Sequence, residues 1–293
     1  MSRLRVATRG SPLARWQAEH VASLLGDDVE LVVIETAGDQ RTDVPIRAIG
    51  GQGVFVKAVQ NAVLDGRADL AVHSCKDLES SPTAGLVIAS VPERGDPRDA
   101  LVGLALDALP TGGRVGTGAV RRRAQLAARR PDLTFGELRG NIGSRLEKAA
   151  SFDAIVVAAA ALDRLGMGDR AAEVLPVTVM VPQVGQGALA VECREDDDAT
   201  RARLAAIEHR DSRLAVDAER AFLAELGGGC DLPVGAHATV DGNGDIALRG
   251  LLATLDGHVL LTHDVTGTDP ARVGRRAARY LLDDAGGAAL LVS

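Results

Sequence analysis

LRVATRGSPLARWQAEHVASLLG, residues 4–26, reads in three parts. LRVAT is a short apolar run of the kind that forms a buried strand. Ser11 then supplies an N-cap, Pro12 suits the first helical position, and Gly26 stands just past the end, so residues 12–25 are expected to form a helix. Leu13, Trp16, Val21, Leu24 and Leu25 form its expected apolar stripe. ELVVIET (30–36) follows as a second strand. The glycines of IGGQG (49–53) break the chain before a helix carrying Phe55, Val56, Val59, Val63 and Leu64, and ADLAVHS (68–74) is a third strand. Two βαβ units in succession place HSCKD (73–77) just past the carboxyl end of a strand.

The same rhythm returns downstream. GRVGT (113–117), DLTFGELR (132–139) and DAIVVAAAAL (153–162) read as strands, and GAVRRRAQLAARR (118–130) and NIGSRLEKAA (141–150) as helices. Alternation of this kind predicts an α/β fold with doubly wound parallel sheets, whose ligands sit at the carboxyl ends of strands. Arg9, Asp77, Arg121, Arg139 and Arg164 are all expected at or just after such ends, and two α/β halves facing one cleft would bring them together. From about residue 208 the pattern changes. AHATV (236–240), the turn DGNGD (241–245), IALRGLLATLDG (246–257), VLLTHDV (259–265) and ARVGRRAARYLLDDAG (271–286) suggest a small C-terminal α+β unit with an antiparallel sheet.

Composition narrows the chemistry. The chain has 293 residues, 46% hydrophobic and 25% charged, enough for two or three domains of ordinary soluble type. The longest apolar run, 154–162, is far short of the roughly 20 residues that cross a bilayer, and no basic segment followed by an apolar stretch opens the chain, so no membrane association and a cytoplasmic location are expected. Three widely spaced cysteines fit reduced thiols better than a disulfide framework. A net charge of −7 and only 2% aromatic residues argue against nucleic acid as a partner. Against that acidic background, Arg114, Arg121, Arg122, Arg123, Arg129, Arg130, Arg139 and Arg145 crowd between Arg98 and Arg164, with Lys148 the only lysine among them. Such a concentration suggests a site for carboxylates or phosphates, although Arg129 and Arg130 at a helix end read better as a solvated face.

Familiar site motifs are missing. GQGVFV, GTGAVR and GQGALA each start like a dinucleotide loop and lack its third glycine, and there is no phosphate loop, HExxH, paired CxxC or GxSxG. The six histidines have no metal-ligand spacing, so no metal is expected, and His73 at a strand end reads as a hydrogen-bonded structural residue. A cysteine remains, Cys230, which follows three glycines at the end of the helix in ERAFLAELGGGC; on residue type alone it could equally be a small buried hydrophobe. Asp77 could likewise be a turn residue, and Phe55 a core residue at helical spacing.

The residues that carry a resemblance are ATRGSPLARWQA, GVFVKA with ADLAVHSCKDL, ERGDPRDAL, VGTGAVRRRAQL, RPDLTFGELRGNIGSRL, VGQGALAVECR and AERAFLAELGGGCDLPVGAHA. In that order along almost the whole length, they make the chain similar to the porphobilinogen deaminase (hydroxymethylbilane synthase) family. The resemblance implies two periplasmic-binding-protein-like domains flanking a cleft, 1–93 with 188–207 and 94–187, and a C-terminal domain, 208–293. It implies condensation of four porphobilinogens head to tail onto a covalently bound dipyrromethane cofactor, ammonia leaving each time, and hydrolytic release of hydroxymethylbilane. Cys230 stands at the place of cofactor attachment through a thioether. Asp77 matches the catalytic aspartate, which stabilises a cationic azafulvene and shuttles protons.

By the same resemblance Arg9, Ser11, Gln17, Arg139, Arg145 and Arg164 hold substrate, and Phe55 faces the pyrrole rings. Gln186 lies where the chain crosses between the first two domains and is grouped with the substrate residues. Lys76, Thr117, Arg121, Arg122 and Arg145 hold the acidic side chains of the cofactor. A monomer is implied, with the downstream uroporphyrinogen synthase as a candidate transient partner. The sequence departs from the pattern at Gln52 and Ala37, where basic residues are usual (Arg47 compensating in part), at Gly118 and Ala119, where serines are usual, and in KDLES, which lacks the usual proline. These departures bear on turnover and cofactor grip. The rival readings are a non-catalytic two-lobed anion receptor and a family member with impaired turnover.

Overall fold

The computed structural model describes residues 3–26, 29–35, 53–227 and 232–291, with the side chains of 53–55 excepted. Cys230, Ala37, Arg47, Gln52 and the Phe55 side chain therefore lie outside the described residues. The chain forms two compact units, residues 1–94 with 188–213 and residues 95–187 with 214–293.

The first unit is built on a five-stranded sheet. Strands β1 (Leu4–Arg9), β2 (Val29–Ile34), β3 (Leu70–Ser74), β4 (Leu86–Ser90) and β10 (Leu189–Arg194) lie in the order β2-β1-β3-β10-β4. β1 pairs in parallel with both neighbours, whereas β10 runs antiparallel between β3 and β4. The parallel pairing expected of the βαβ units holds for β1, β2 and β3, and the sheet as a whole is mixed, because β10 returns from a distant part of the chain and enters from the opposite end. Side-chain alternation sends Leu4, Val6, Leu70, Val72, Leu189 and Val191 to one face, where they pack with Ala18 and Val21 of α1 (Pro12–Leu25) and Leu204 of α6 (Asp198–Ala205). Ala7 and Ala71 face the other side with Val59, Ala62 and Val63 of α2 (Gly53–Leu64). Helix α1 is capped as its sequence requires, Ser11 Oγ accepting from the Ala14 amide with Pro12 in the first turn. Its buried face runs through Gln17, Ala18 and Val21, so Leu24, expected in the stripe, is 46% exposed.

The second unit holds two sheets. In the first, β5 (Asp99–Gly103), β6 (Arg114–Gly116), β7 (Thr134–Gly136), β8 (Ala154–Ala158) and β9 (Glu173–Leu175) take the order β7-β6-β8-β5-β9, with β6 parallel to β7 and β8, and β5 antiparallel to β8 and β9. This is the plan of the first sheet: three parallel strands, then an antiparallel one, then the edge. The apolar run expected as one strand to residue 162 divides at Ala158, where β8 passes directly into α5 (Ala159–Arg164). The division follows the residues, since branched Ile155, Val156 and Val157 favour a strand and the alanines after them favour a helix. Arg164 thus sits at a helix end rather than a strand end.

The C-terminal sheet, β11 (Val234–Val240), β12 (Ile246–Ala253) and β13 (Leu260–Gly267), is antiparallel as expected. It packs on α7 (Arg210–Glu225) and α8 (Pro270–Arg279) around Phe222, Ile246, Leu248, Leu252 and Leu281. Phe222 fits because β12 has Gly250 beneath its ring, where a Cβ would come within 2.6 Å. Glu219, fully buried, joins this layer to the 182–187 segment by accepting from the amides of Gly185 at 2.7 Å and Ala238 at 2.8 Å.

Candidate active site

The first unit gathers polar groups at the carboxyl ends of β1 and β3. Arg9 is the last residue of β1, and Ser11 follows as the cap of α1, its oxygen engaged by Ala14. Beyond β3, a single 3-10 turn, Cys75–Asp77, carries Lys76 and Asp77. The turn is anchored where the Cys75 amide donates to Ala188 O at 3.0 Å and closed by the Leu78 amide on Cys75 O at 3.2 Å. Gln17 is nearly fully buried and its Nε2 donates to Ser74 Oγ at 2.8 Å, one residue before that turn. Gln17 thus reaches the Asp77 turn through Ser74. The Asp77 side chain is partly exposed and has no hydrogen bond or ion pair among the described residues.

In the second unit the arginines fall into two groups. Arg121 and Arg122 open α3 (Val120–Arg129) and are buried to 4% and 5% exposure, both turned onto Asp99, which has none. Arg122 donates to Asp99 Oδ1 through Nε at 3.0 Å and Nη2 at 2.7 Å, and to Val156 O through Nη1 at 2.9 Å. Arg121 donates through Nη2 to Asp99 Oδ2 at 2.8 Å and through Nη1 to Val181 O. Gln186, also fully buried, adds Nε2 to Asp99 Oδ1 at 2.9 Å and to Pro97 O at 2.8 Å. Burial raises the Asp99 pKa, but the two guanidinium charges and the Gln186 hydrogen bond outweigh it and hold the carboxyl well below its ordinary range. One carboxylate against two guanidiniums leaves this buried set with one net positive charge.

Thr117 precedes α3, its amide donating to Gly136 O at 3.0 Å and its Oγ1 accepting from the Ala119 amide at 3.2 Å. Ala119 is the N-cap and supplies no side-chain acceptor, and the first turn of α3 contains no acid. The start of α3 thus carries the positive end of the helix dipole with no side-chain cap and no acid in its first turn. At Gly118, where the family resemblance leads one to expect serine, a Cβ would lie 2.9 Å from Leu138 O, so the glycine is required by the close approach of that carbonyl.

The other arginines are more open. Arg139 pairs with Glu137 at 3.2 Å, both largely exposed. Arg145, in α4 (Ile142–Glu147), donates from Nε to Gly140 O at 2.8 Å. Arg164 donates from Nη2 to Gly187 O at 2.6 Å, next in chain to Gln186, and burial pulls its guanidinium down to about 10. Gly187 has φ +84°, and a Cβ on it would meet Gly95 O at 2.5 Å and Asp96 O at 2.8 Å, so this position admits only glycine.

Three residues escaped the sequence reading. Asp99 organises Arg121, Arg122 and Gln186, Ser74 receives Gln17, and Glu192 meets His73 and Gln60 inside the first unit. For Asp99 and Glu192 a signal existed: each is an acid set beside apolar strand residues, in DALVG and LAVECR, where a buried charge requires a partner.

Comparison with known proteins supplies two family matches. The model described as "Porphobilinogen deaminase, dipyromethane cofactor binding domain" matches residues 4–202, and "Porphobilinogen deaminase, C-terminal domain" matches residues 213–283. A protein named porphobilinogen deaminase from Nitratidesulfovibrio vulgaris (strain DP4) is 46% identical over 297 residues, covering 97% of this chain and 94% of its own length. Proteins of the same name from Syntrophotalea carbinolica and Brevibacillus brevis are 49% and 44% identical, covering 96% and 98% of this chain and 93% and 96% of theirs. Among solved structures, YhfZ from Shigella flexneri is similar at 18% identity and a TM-score of 0.39, over 78% of this chain and 99% of that one. No helix among the described residues is long and apolar enough to cross a membrane.

Proposed function

Since the chain belongs to the porphobilinogen deaminase family, we propose that it joins four molecules of porphobilinogen head to tail, with loss of ammonia, and releases hydroxymethylbilane for tetrapyrrole synthesis. The observation that carries this reading is the match of the two family models across nearly all of the chain, with Asp77 held on an anchored turn at the end of β3.

A dipyrromethane bound through Cys230 would supply the first nucleophilic pyrrole carbon and tether the growing chain. The residues assigned to hold it suit its acidic arms: the Asp99 set has one positive charge in excess, and α3 begins without cap or acid. We assign this role to Lys76, Thr117, Arg121, Arg122 and Arg145. Arg121 and Arg122 act from behind the surface, their nitrogens engaged with Asp99, Val156 and Val181. They therefore contribute charge and a fixed helix start.

Asp77 is assigned the reacting centre. When the C–N bond of the protonated aminomethyl group of porphobilinogen breaks, nitrogen leaves with the electron pair as ammonia and the positive charge spreads onto the pyrrole nitrogen. A fixed carboxylate beside that N–H stabilises the charge better than reorienting water does. Once the new carbon–carbon bond has formed, the attacking pyrrole loses the proton on its bonded carbon, which the same carboxylate can accept. Arg9, Ser11, Gln17, Phe55, Arg139, Arg145, Arg164 and Gln186 are assigned to substrate, whose acetate and propionate groups need cationic partners. Gln17 serves through Ser74, and Gln186 through Asp99. Three domains, 1–93 with 188–207, 94–187 and 208–293, a monomeric state, a cytoplasmic location and transient contact with the downstream uroporphyrinogen synthase complete the proposal. The experiment is to incubate purified protein with porphobilinogen and follow ammonia and hydroxymethylbilane. Production of both supports the reading, and binding without consumption favours a receptor.

A further inference from the structure

We infer that Glu192 is a positioning residue for Asp77, acting through Gln60, Thr83 and His73; the inference rests on the role given to Asp77 above. Glu192 lies on β10, and Leu189, Val191 and Cys193 point to the α1 side of the sheet, so Glu192 points to the α2 side. There it is nearly fully buried. His73 Nε2 stands 3.0 Å from Glu192 Oε2, and Gln60 Nε2 donates to the same oxygen at 2.8 Å. Gln60, on α2, accepts in turn from Thr83 Oγ1 at 3.2 Å.

His73 and Thr83 bracket Asp77. Before Asp77 the chain is fixed by the β3 ladder, which ends at Ser74 opposite Leu189. After it, residues 78–85 belong to no strand or helix, and β4 resumes at Leu86. The hydrogen-bonded series Thr83–Gln60–Glu192 ties the far side of this excursion to β10, the antiparallel neighbour of the strand from which it departs, and His73 of that strand faces the same carboxylate without hydrogen-bonding to it. Its surroundings are apolar, Val59, Ala62, Val63 and Ala71 among them, and apolar side chains could have filled the same space. Packing alone permits small slides of one surface over another, whereas hydrogen bonds to a buried carboxylate are directional and costly to leave unmade. Gln17 and Ser74 grip β3 from the opposite face of the sheet. The turn carrying Asp77 is thereby held from both sides, as a carboxylate that must stand beside a pyrrole N–H requires.

The test compares holoenzymes of wild type, Thr83→Val, Thr83→Ser, Glu192→Gln and Asp77→Asn in steady-state turnover of porphobilinogen, together with amide hydrogen exchange of a peptide covering 74–83. Thr83→Val and Glu192→Gln are expected to lower kcat about 10- to 100-fold with KM within roughly twofold, because geometry rather than binding is lost. Thr83→Ser keeps the hydroxyl and is expected to match wild type. Exchange in the 74–83 peptide is expected to quicken in the two impaired variants and to stay unchanged in α1. Wild-type kcat in both impaired variants, or lowered kcat with unchanged exchange, overturns the inference. Should Glu192→Gln fail to fold, Thr83→Val decides alone. Full turnover by Asp77→Asn removes the role of Asp77 and the inference with it. Wild-type protein that consumes no porphobilinogen contradicts the proposed function instead, and exchange then decides whether the network holds the turn.

Discussion

Arg122 grips Asp99 Oδ1 with two nitrogens, Nε at 3.0 Å and Nη2 at 2.7 Å, in a place where the carboxylate has no exposure to solvent. Replacing Asp99 by asparagine leaves two buried guanidiniums without a counter-charge, and a loss of about 3–5 kcal/mol is expected. The folded carboxyl is held below its unfolded value of 3.8, so its stabilisation is fully present above that value and fades as pH falls toward the folded one. Urea midpoints should therefore differ most between wild type and Asp99→Asn at neutral pH, and the gap should narrow below about pH 4. A gap of constant size down to pH 3 would show that something other than the carboxylate charge had been removed.

Asp77→Ala and Asp77→Asn are expected to fold with the thermal midpoint of wild type, because this side chain has no partner among the described residues whose loss would be felt. Turnover should fall by roughly two orders of magnitude or more, as when a charge partner of a transition state is removed. Rapid-quench measurement of ammonia release checks this, and near-normal release would remove Asp77 from the chemistry.

Ala119 caps α3 without a side-chain acceptor. Ala119→Ser supplies one and should stabilise the fold by about 1 kcal/mol. Gly118→Ser, beside it, should destabilise, since its Cβ would press on Leu138 O at 2.9 Å. Thermal melts of the two variants should thus move in opposite directions, and a shift of the same sign in both would contradict an uncapped α3 start packed against Leu138 O.

Gly274 lies inside α8, where alanine would ordinarily be better by about 1 kcal/mol. A Cβ there would collide with Ala218 O and approach Phe222 N within 2.6 Å, both on α7. The collision outweighs the propensity, and Gly274→Ala is expected to destabilise by about 1–3 kcal/mol. A more stable variant would mean that the two helices cross at greater distance.

Much of the fold was legible in local chemistry. Ser11, Pro12 and Gly26 mark both ends of α1, and the turn DGNGD separates β11 from β12. What stayed hidden depends on chain segments far apart. β10 enters the first sheet antiparallel from about 100 residues beyond β4, and no property of LAVECR announces its direction. The run 154–162 is apolar throughout, so periodicity could not locate the change from strand to helix at Ala158. In the site, arginine content announced an anion-binding region, but whether a given guanidinium faces solvent or a buried acid depends on a partner elsewhere in the chain. Arg122 finds Asp99, 23 residues earlier, and Arg139 finds Glu137, two residues away and largely exposed.

The central claim is that this protein builds its product on a pyrrole pair fixed to Cys230. The intact mass of the purified protein, taken before and after incubation with porphobilinogen, tests it most directly. The account predicts a chain heavier by two linked pyrrole units, further species one, two and three substrate units heavier still, and none of these in Cys230→Ala. A folded wild-type chain that shows only its bare polypeptide mass before and after incubation would contradict it.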